Sequence, residues 1–131
     1  MGVGEATPAS AASRLKGLKA LVVEDETLIF LLLEDMLHEL GCTEVQHATG
    51  VVDALALLDK SMPDIAVLDV NLAGEPAFPV AARLTAGGVP FVFATGYGKQ
   101  GVPPEWAPKP VIQKPFRLET LAAALRGILP S

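Results

Sequence analysis

The sequence predicts an α/β fold: a five-stranded parallel sheet, doubly wound, with helices covering both faces. Three observations carry this. Short apolar runs alternate with stretches of helical period, as repeated βα units require. The runs Ala20-Leu21-Val22-Val23 and Ile65-Ala66-Val67-Leu68 are apolar throughout, as strands buried on both faces are. Both then stop abruptly at carboxylates, Glu24-Asp25-Glu26 and Asp69.

In chain order, residues 1–16 read as a flexible N-terminal extension, because Met1 to Ser13 is rich in Ala, Gly, Ser and Thr without sustained periodicity. Residues 17–131 form one domain. After the first strand a helix runs from near Thr27 to Leu40, closed by Gly41. Thr43 to His47 is a short second strand, and Val51 to Asp59 a second helix. The third strand ends at Asp69, and Pro79 to Ala86 carries the third helix. Pro90-Phe91-Val92-Phe93-Ala94 is the fourth strand, followed by Thr95. Gly98, Gly101, Pro103, Pro104, Pro108 and Pro110 leave the fourth helix short, distorted or absent. Val111-Ile112-Gln113 is the fifth strand, and Leu118 to Leu129 the last helix, with Leu118, Leu121, Ala122, Leu125, Ile128 and Leu129 on its apolar face.

Composition narrows the function. The chain has 131 residues, half of them apolar, enough for one domain with a real core. A net charge of -5 with ten scattered basic residues disfavours a nucleic-acid partner, since phosphate binding needs concentrated Lys and Arg. The longest apolar run, Leu28 to Leu33, is too short to span a bilayer, and the N-terminus lacks the charged and apolar regions of a signal peptide. The expected place is the cytoplasm, with no membrane contact. Cys42 is the only cysteine, which excludes an internal disulfide, and its apolar context favours packing over nucleophilic chemistry.

In an open parallel sheet, ligands gather beyond the carboxyl ends of the strands. There the first strand delivers Glu24 and Asp25, the third Asp69, the fourth Thr95 and the fifth Lys114. Clustered carboxylates repel one another unless a cation is present, and a hard oxygen-rich site suits Mg²⁺ (or Mn²⁺). A cation, the Lys114 ammonium and the Thr95 hydroxyl together would neutralise an incoming phosphoryl group, leaving Asp69 as the carboxylate nucleophile.

Glu24-Asp25, Asp69, Thr95 and Lys114-Pro115, in this order and spacing, resemble the receiver domain of two-component response regulators from Lys19 to Leu129. The resemblance implies a flavodoxin-like sheet with strand order 2-1-3-4-5. It makes Asp69 the phosphoacceptor, and Glu24, Asp25, Asp69 and the backbone carbonyl of Asn71 the Mg²⁺ site. Thr95 and Lys114 would bind the phosphoryl oxygens, and a cis bond before Pro115 would aim the lysine inward. The implied partners are a sensor histidine kinase or histidine phosphotransfer protein and a downstream protein target, with the chain a monomer or weak dimer. Phe93-Ala94-Thr95-Gly96-Tyr97 is similar to the motif of the single-domain, stress-associated FATGUY-type subfamily.

One position departs from the family. Ordinary receivers carry an aromatic residue three before the lysine, whereas this chain has Val111. For the readout of phosphorylation, Thr95 is therefore expected either to couple to Tyr97 and the irregular Gly98 to Pro110 segment, or to leave Tyr97 only covering the sheet edge. On the first helix, Ile29, Leu32, Leu33, Met36, Leu37 and Leu40 form the expected core stripe, leaving Leu28, Phe30 and Leu31 as a partner surface beside the acidic cluster.

Other readings fit less well. A phosphohydrolase using an aspartyl phosphate needs an acid two residues after the nucleophile, and Asn71 stands there. A nucleotide module needs a Gly- or Ser/Thr-rich phosphate loop after the first strand, where Glu24-Asp25-Glu26 would repel phosphate. A receiver-like scaffold that binds partners without phosphorylation leaves the complete acidic, Thr and Lys set unexplained. Only Pro130 and Ser131 follow the last helix, so output is expected through association, phosphorelay or service as a phosphate sink; the chain is expected to be a signalling switch and not a turnover enzyme.

Overall fold

In the computed structural model, which describes residues 15–72, 74–96 and 109–129, the apolar runs become strands and the periodic stretches become helices. The elements are β1 (Lys19–Val23), α1 (Thr27–Glu39), β2 (Glu44–Ala48), α2 (Val51–Lys60), β3 (Ile65–Asp69), β4 (Asn71–Leu72), β5 (Glu75–Pro76), α3 (Phe78–Ala86), β6 (Phe91–Thr95), β7 (Val111–Gln113) and α4 (Leu118–Ile128). Five strands pair in parallel in the order β2-β1-β3-β6-β7. With β4 and β5 set apart as a separate antiparallel ladder, this is the expected 2-1-3-4-5 order. The hairpin itself goes beyond expectation, because two-residue strands leave no periodic trace in a sequence.

Successive strand residues point to opposite faces, and the central strands serve two cores in this way. Ala20 and Val22 of β1, Ile65 and Val67 of β3, and Val92 and Ala94 of β6 pack with α1 and α4. Their alternates Leu21, Val23, Ala66, Leu68, Phe91 and Phe93 pack with α2 and α3. Burying one such Leu, Val or Phe side chain contributes about 1.5–3 kcal/mol, so these strands anchor the frame on which the site is built.

Two glycines end helices in the same manner. Gly41 (φ 113°) lets its own N–H reach the His38 carbonyl while the Cys42 N–H reaches that of Leu37, a Schellman motif closing α1. Gly88 (φ 73°) repeats it after α3, with Gly88 N–H donating to Thr85 and Val89 N–H to Leu84. Both turns send the chain directly into the next strand.

The phase of α1 differs from the expected one. Phe30, Leu33 and Leu37 face the core, while Leu32, placed in the core stripe by the sequence, is 42% exposed. Phe30, expected on the exposed partner surface, is only 8% exposed because its ring stacks on His47 of β2, centroids 3.8 Å apart. Leu28 and Leu31 are 80% and 49% exposed, so Leu28, Leu31 and Leu32 form the apolar surface of this helix. Residues 1–14 of the extension expected over 1–16 lie outside the described residues. So do Tyr97 and the 98–108 stretch expected to hold the short or distorted fourth helix.

Candidate functional site

The parallel register brings the predicted residues to one edge. Leu68 of β3 pairs with Val23 of β1, so Asp69 emerges level with Glu24, and Thr95 pairs with Gln113, one residue before Lys114. Lys114 N–H donates to the Thr95 carbonyl at 2.9 Å, and the Lys114–Pro115 peptide bond is cis. Asp25, Glu26, Asp69, Asn71, Gly74, Thr95, Gly96 and Lys114 line a cavity of about 390 Å³ at this edge.

Lys114 is the electrostatic centre. Its Nζ donates to Glu24 Oε1 at 2.8 Å and to Asp69 Oδ2 at 3.1 Å, with all three side chains mostly or fully buried. Burial alone would lower the Lys114 pKa, but the hydrogen bonds and charges of Glu24 and Asp69 outweigh it and raise it above the ordinary value. The ammonium is therefore charged at neutral pH.

Glu24, only 1% exposed, shows the opposite balance. Burial pushes its carboxyl up to about 7, Asp69's charge adding to the rise, against hydrogen bonds from Lys114 and the Glu26 N–H. The folded pKa lies above the ordinary 4.5. Any stability tied to this group is thus fully present below pH 4.5 and lost as pH rises to about 7. Without metal, the stability of the wild type relative to Glu24→Gln is expected to be greater at pH 4 than at pH 8, by no more than about 3 kcal/mol. Thermal unfolding at the two pH values checks this.

The donor set fits a hard divalent ion. One oxygen each from Glu24, Asp25 and Asp69 lies within 4.8 Å of the others. Oxygens about 2.1 Å from Mg²⁺ stand roughly 3 to 4.2 Å apart, so modest adjustment brings these groups into range. Asp25 and Asp69 line the cavity and would hold the ion, whereas both Glu24 oxygens already accept hydrogen bonds, from Lys114 and the Glu26 N–H. Glu24 would thus stand beside the ion, tied to Lys114 and the Glu26 N–H. Asn71 also lines the cavity; its N–H donates to Asp69 Oδ1 at 3.2 Å and its side-chain oxygen accepts from the Gly74 N–H at 2.7 Å.

Residues beyond the expected set also shape the site. Gly74 and Gly96 line the cavity, and Glu26 tethers Glu24 through its backbone. The Asn71-x-x-Gly74 spacing is a turn signal that foreshadows the first of these. Val111, at the position an aromatic residue would hold, packs partly buried against the core of Phe91 and Phe93. Cys42 is buried, and burial, with Asp64's charge adding, pushes its thiol up to about 11, leaving it unsuited as a nucleophile at neutral pH. No helix among the described residues is long and apolar enough to cross a membrane.

A doubly wound sheet with a buried lysine between carboxylates beyond its strand ends is the arrangement of a receiver-type signalling domain. This chain belongs to the response regulator receiver domain family of two-component systems, its residues 20–126 matching the family. Over 87% of its length it superimposes on 98% of SdrG from Sphingomonas melonis Fr1, with a TM-score of 0.79 and 43% identity. It is 36% identical over 128 residues to the transcriptional regulatory protein TcrA of Mycobacterium tuberculosis, covering 92% of this chain and 49% of that one. The chain thus spans about half the length of TcrA. With the sporulation initiation phosphotransferase F of Bacillus subtilis it shares 26% identity over 117 residues, 86% of this chain and 94% of that protein.

Proposed function

We propose that Asp69 accepts a phosphoryl group from a histidine kinase or histidine phosphotransfer protein, and that the chain then signals by protein association or phosphorelay. The observation that carries this is the Lys114 ammonium bridging Asp69 and buried Glu24 at the mouth of an acidic cavity. In the reaction an Asp69 carboxylate oxygen attacks phosphorus, the P–N bond to the donor imidazole breaks, and the imidazole leaves with its electron pair and takes up a proton. Bound Mg²⁺ would supply positive charge to the phosphoryl oxygens. Asp25 and Asp69 would hold it, Lys114 neutralises the charge on the acyl phosphate, and Thr95 donates to a phosphoryl oxygen. The likeness to SdrG, which has a BeF3-activated conformation, supports phosphoryl acceptance at this edge.

The Phe93-to-Tyr97 motif assigns the chain to the stress-associated single-domain subfamily, with readout through Tyr97 in place of an aromatic at Val111. Leu28 and Leu31, with Leu32 beside them, are the surface on which the histidine-bearing partner docks. Labelling by acetyl phosphate with Mg²⁺ tests acceptance directly, since it needs no partner; absence of labelling favours a scaffold that binds without phosphorylation. Glutamate at Leu28 and Leu31 is expected to leave that labelling intact while slowing transfer from a histidine kinase active on the wild type by about ten-fold or more. Equal kinase rates would remove the docking assignment.

A further inference from the structure

Every polar atom of Glu24 is held. Its N–H donates to the Ala48 carbonyl at 2.9 Å, Oε1 accepts from Lys114 and Oε2 from the Glu26 N–H. The fourth contact comes from outside the acidic set: His47 Nε2 lies 2.8 Å from the Glu24 carbonyl oxygen. A carbonyl only accepts, so Nε2 carries the proton, and this bond survives in both the neutral and the cationic imidazole. The ring is set in place by its near-parallel stack on Phe30, 3° between planes.

We propose that His47, on edge strand β2, is a positioning residue for the acidic pair: its Nε2–H clamps the Glu24–Asp25 peptide and so fixes where the Asp25 carboxylate stands at the cavity. The Glu24 carbonyl and the Asp25 N–H belong to one rigid peptide plane, so holding the oxygen sets the direction in which the Asp25 chain leaves β1. The pairing of β1 with β2 ends at Val23 opposite Ala48. Just past that point the Glu24 N–H makes the last backbone bond to β2, at Ala48, and the imidazole holds the carbonyl on the other side of the residue. Phe30 belongs to α1, the helix that also bears Leu28 and Leu31, so the same ring joins the docking helix to the acidic loop. Groups that orient metal-binding residues from behind commonly govern ten-fold or more of the affinity.

This inference rests on the proposed Mg²⁺ site, and calorimetric titration of Mg²⁺ into the full chain tests both separately. Wild type is expected to bind, His47→Ala about ten-fold more weakly. His47→Phe, which keeps a ring for Phe30 but has no donor, should be as weak as His47→Ala. His47→Gln, whose amide nitrogen occupies the place of Nε2, should return to within about three-fold of wild type. If His47→Ala does not fold, the Gln and Phe variants decide alone. Wild-type affinity in the Phe variant, or equal weakness of Gln and Phe, overturns the clamp, the latter assigning His47 to packing. Failure of the wild type to bind Mg²⁺ would instead overturn the site on which the clamp rests.

Discussion

Replacing Asp69 by asparagine is expected to reduce phosphoryl incorporation from acetyl phosphate to background, a loss on the order of 10³-fold or more. The amide keeps the size of the carboxylate, and its oxygen can still accept the Lys114 hydrogen bond at the position of Oδ2. It loses the nucleophile, because an amide oxygen does not form a stable acyl phosphate. It also removes one of the three carboxylates that line the cavity together with Lys114. Asparagine therefore separates chemistry from folding: thermal unfolding should show a native domain, while labelling disappears. Gel or mass detection of incorporated phosphate, run alongside the unfolding curve, checks both halves.

Phe93→Ala is expected to cost about 3–5 kcal/mol, a large share of the about 5–15 kcal/mol that keeps a domain folded. Phe93 is fully buried on β6, two residues before Thr95, and meets Phe91 edge-on at 5.4 Å and Phe78 of α3 at 6.0 Å. Alanine would leave a cavity between the sheet and α3 at the strand that delivers Thr95, so folding and site would fail together. The contrasting change, Val52→Ala at a residue 77% exposed on α2, should move stability by less than about 0.5 kcal/mol. Urea unfolding midpoints at constant slope give both values.

The parts of the fold legible in the sequence are those where burial on two faces forces a continuous apolar run. β1, β3 and β6 declare themselves in this way, and the carboxylate or hydroxyl that ends each run falls at the site edge because parallel strands share a direction. The α1 phase was less legible, since Leu28 to Leu33 is apolar at every position and any face could be the buried one. His47 decided it: a ring on β2 that accepts the stack of Phe30 turns Leu32 outward. Nothing local to His47 marks that role, because its partners Phe30 and Glu24 lie 17 and 23 positions away and meet only through the pairing of β1 with β2. The β4–β5 hairpin escaped for a related reason, being held by two register pairs and one Asn71–Gly74 turn.

Borohydride reduction of the chain after incubation with acetyl phosphate and Mg²⁺, followed by peptide mass mapping, tests the central claim most directly. An acyl phosphate on aspartate is reduced to homoserine, and the account predicts that conversion at position 69 alone, dependent on Mg²⁺. Homoserine at another carboxylate, such as Asp25, or none at any position under conditions where Mg²⁺ binds, would contradict it.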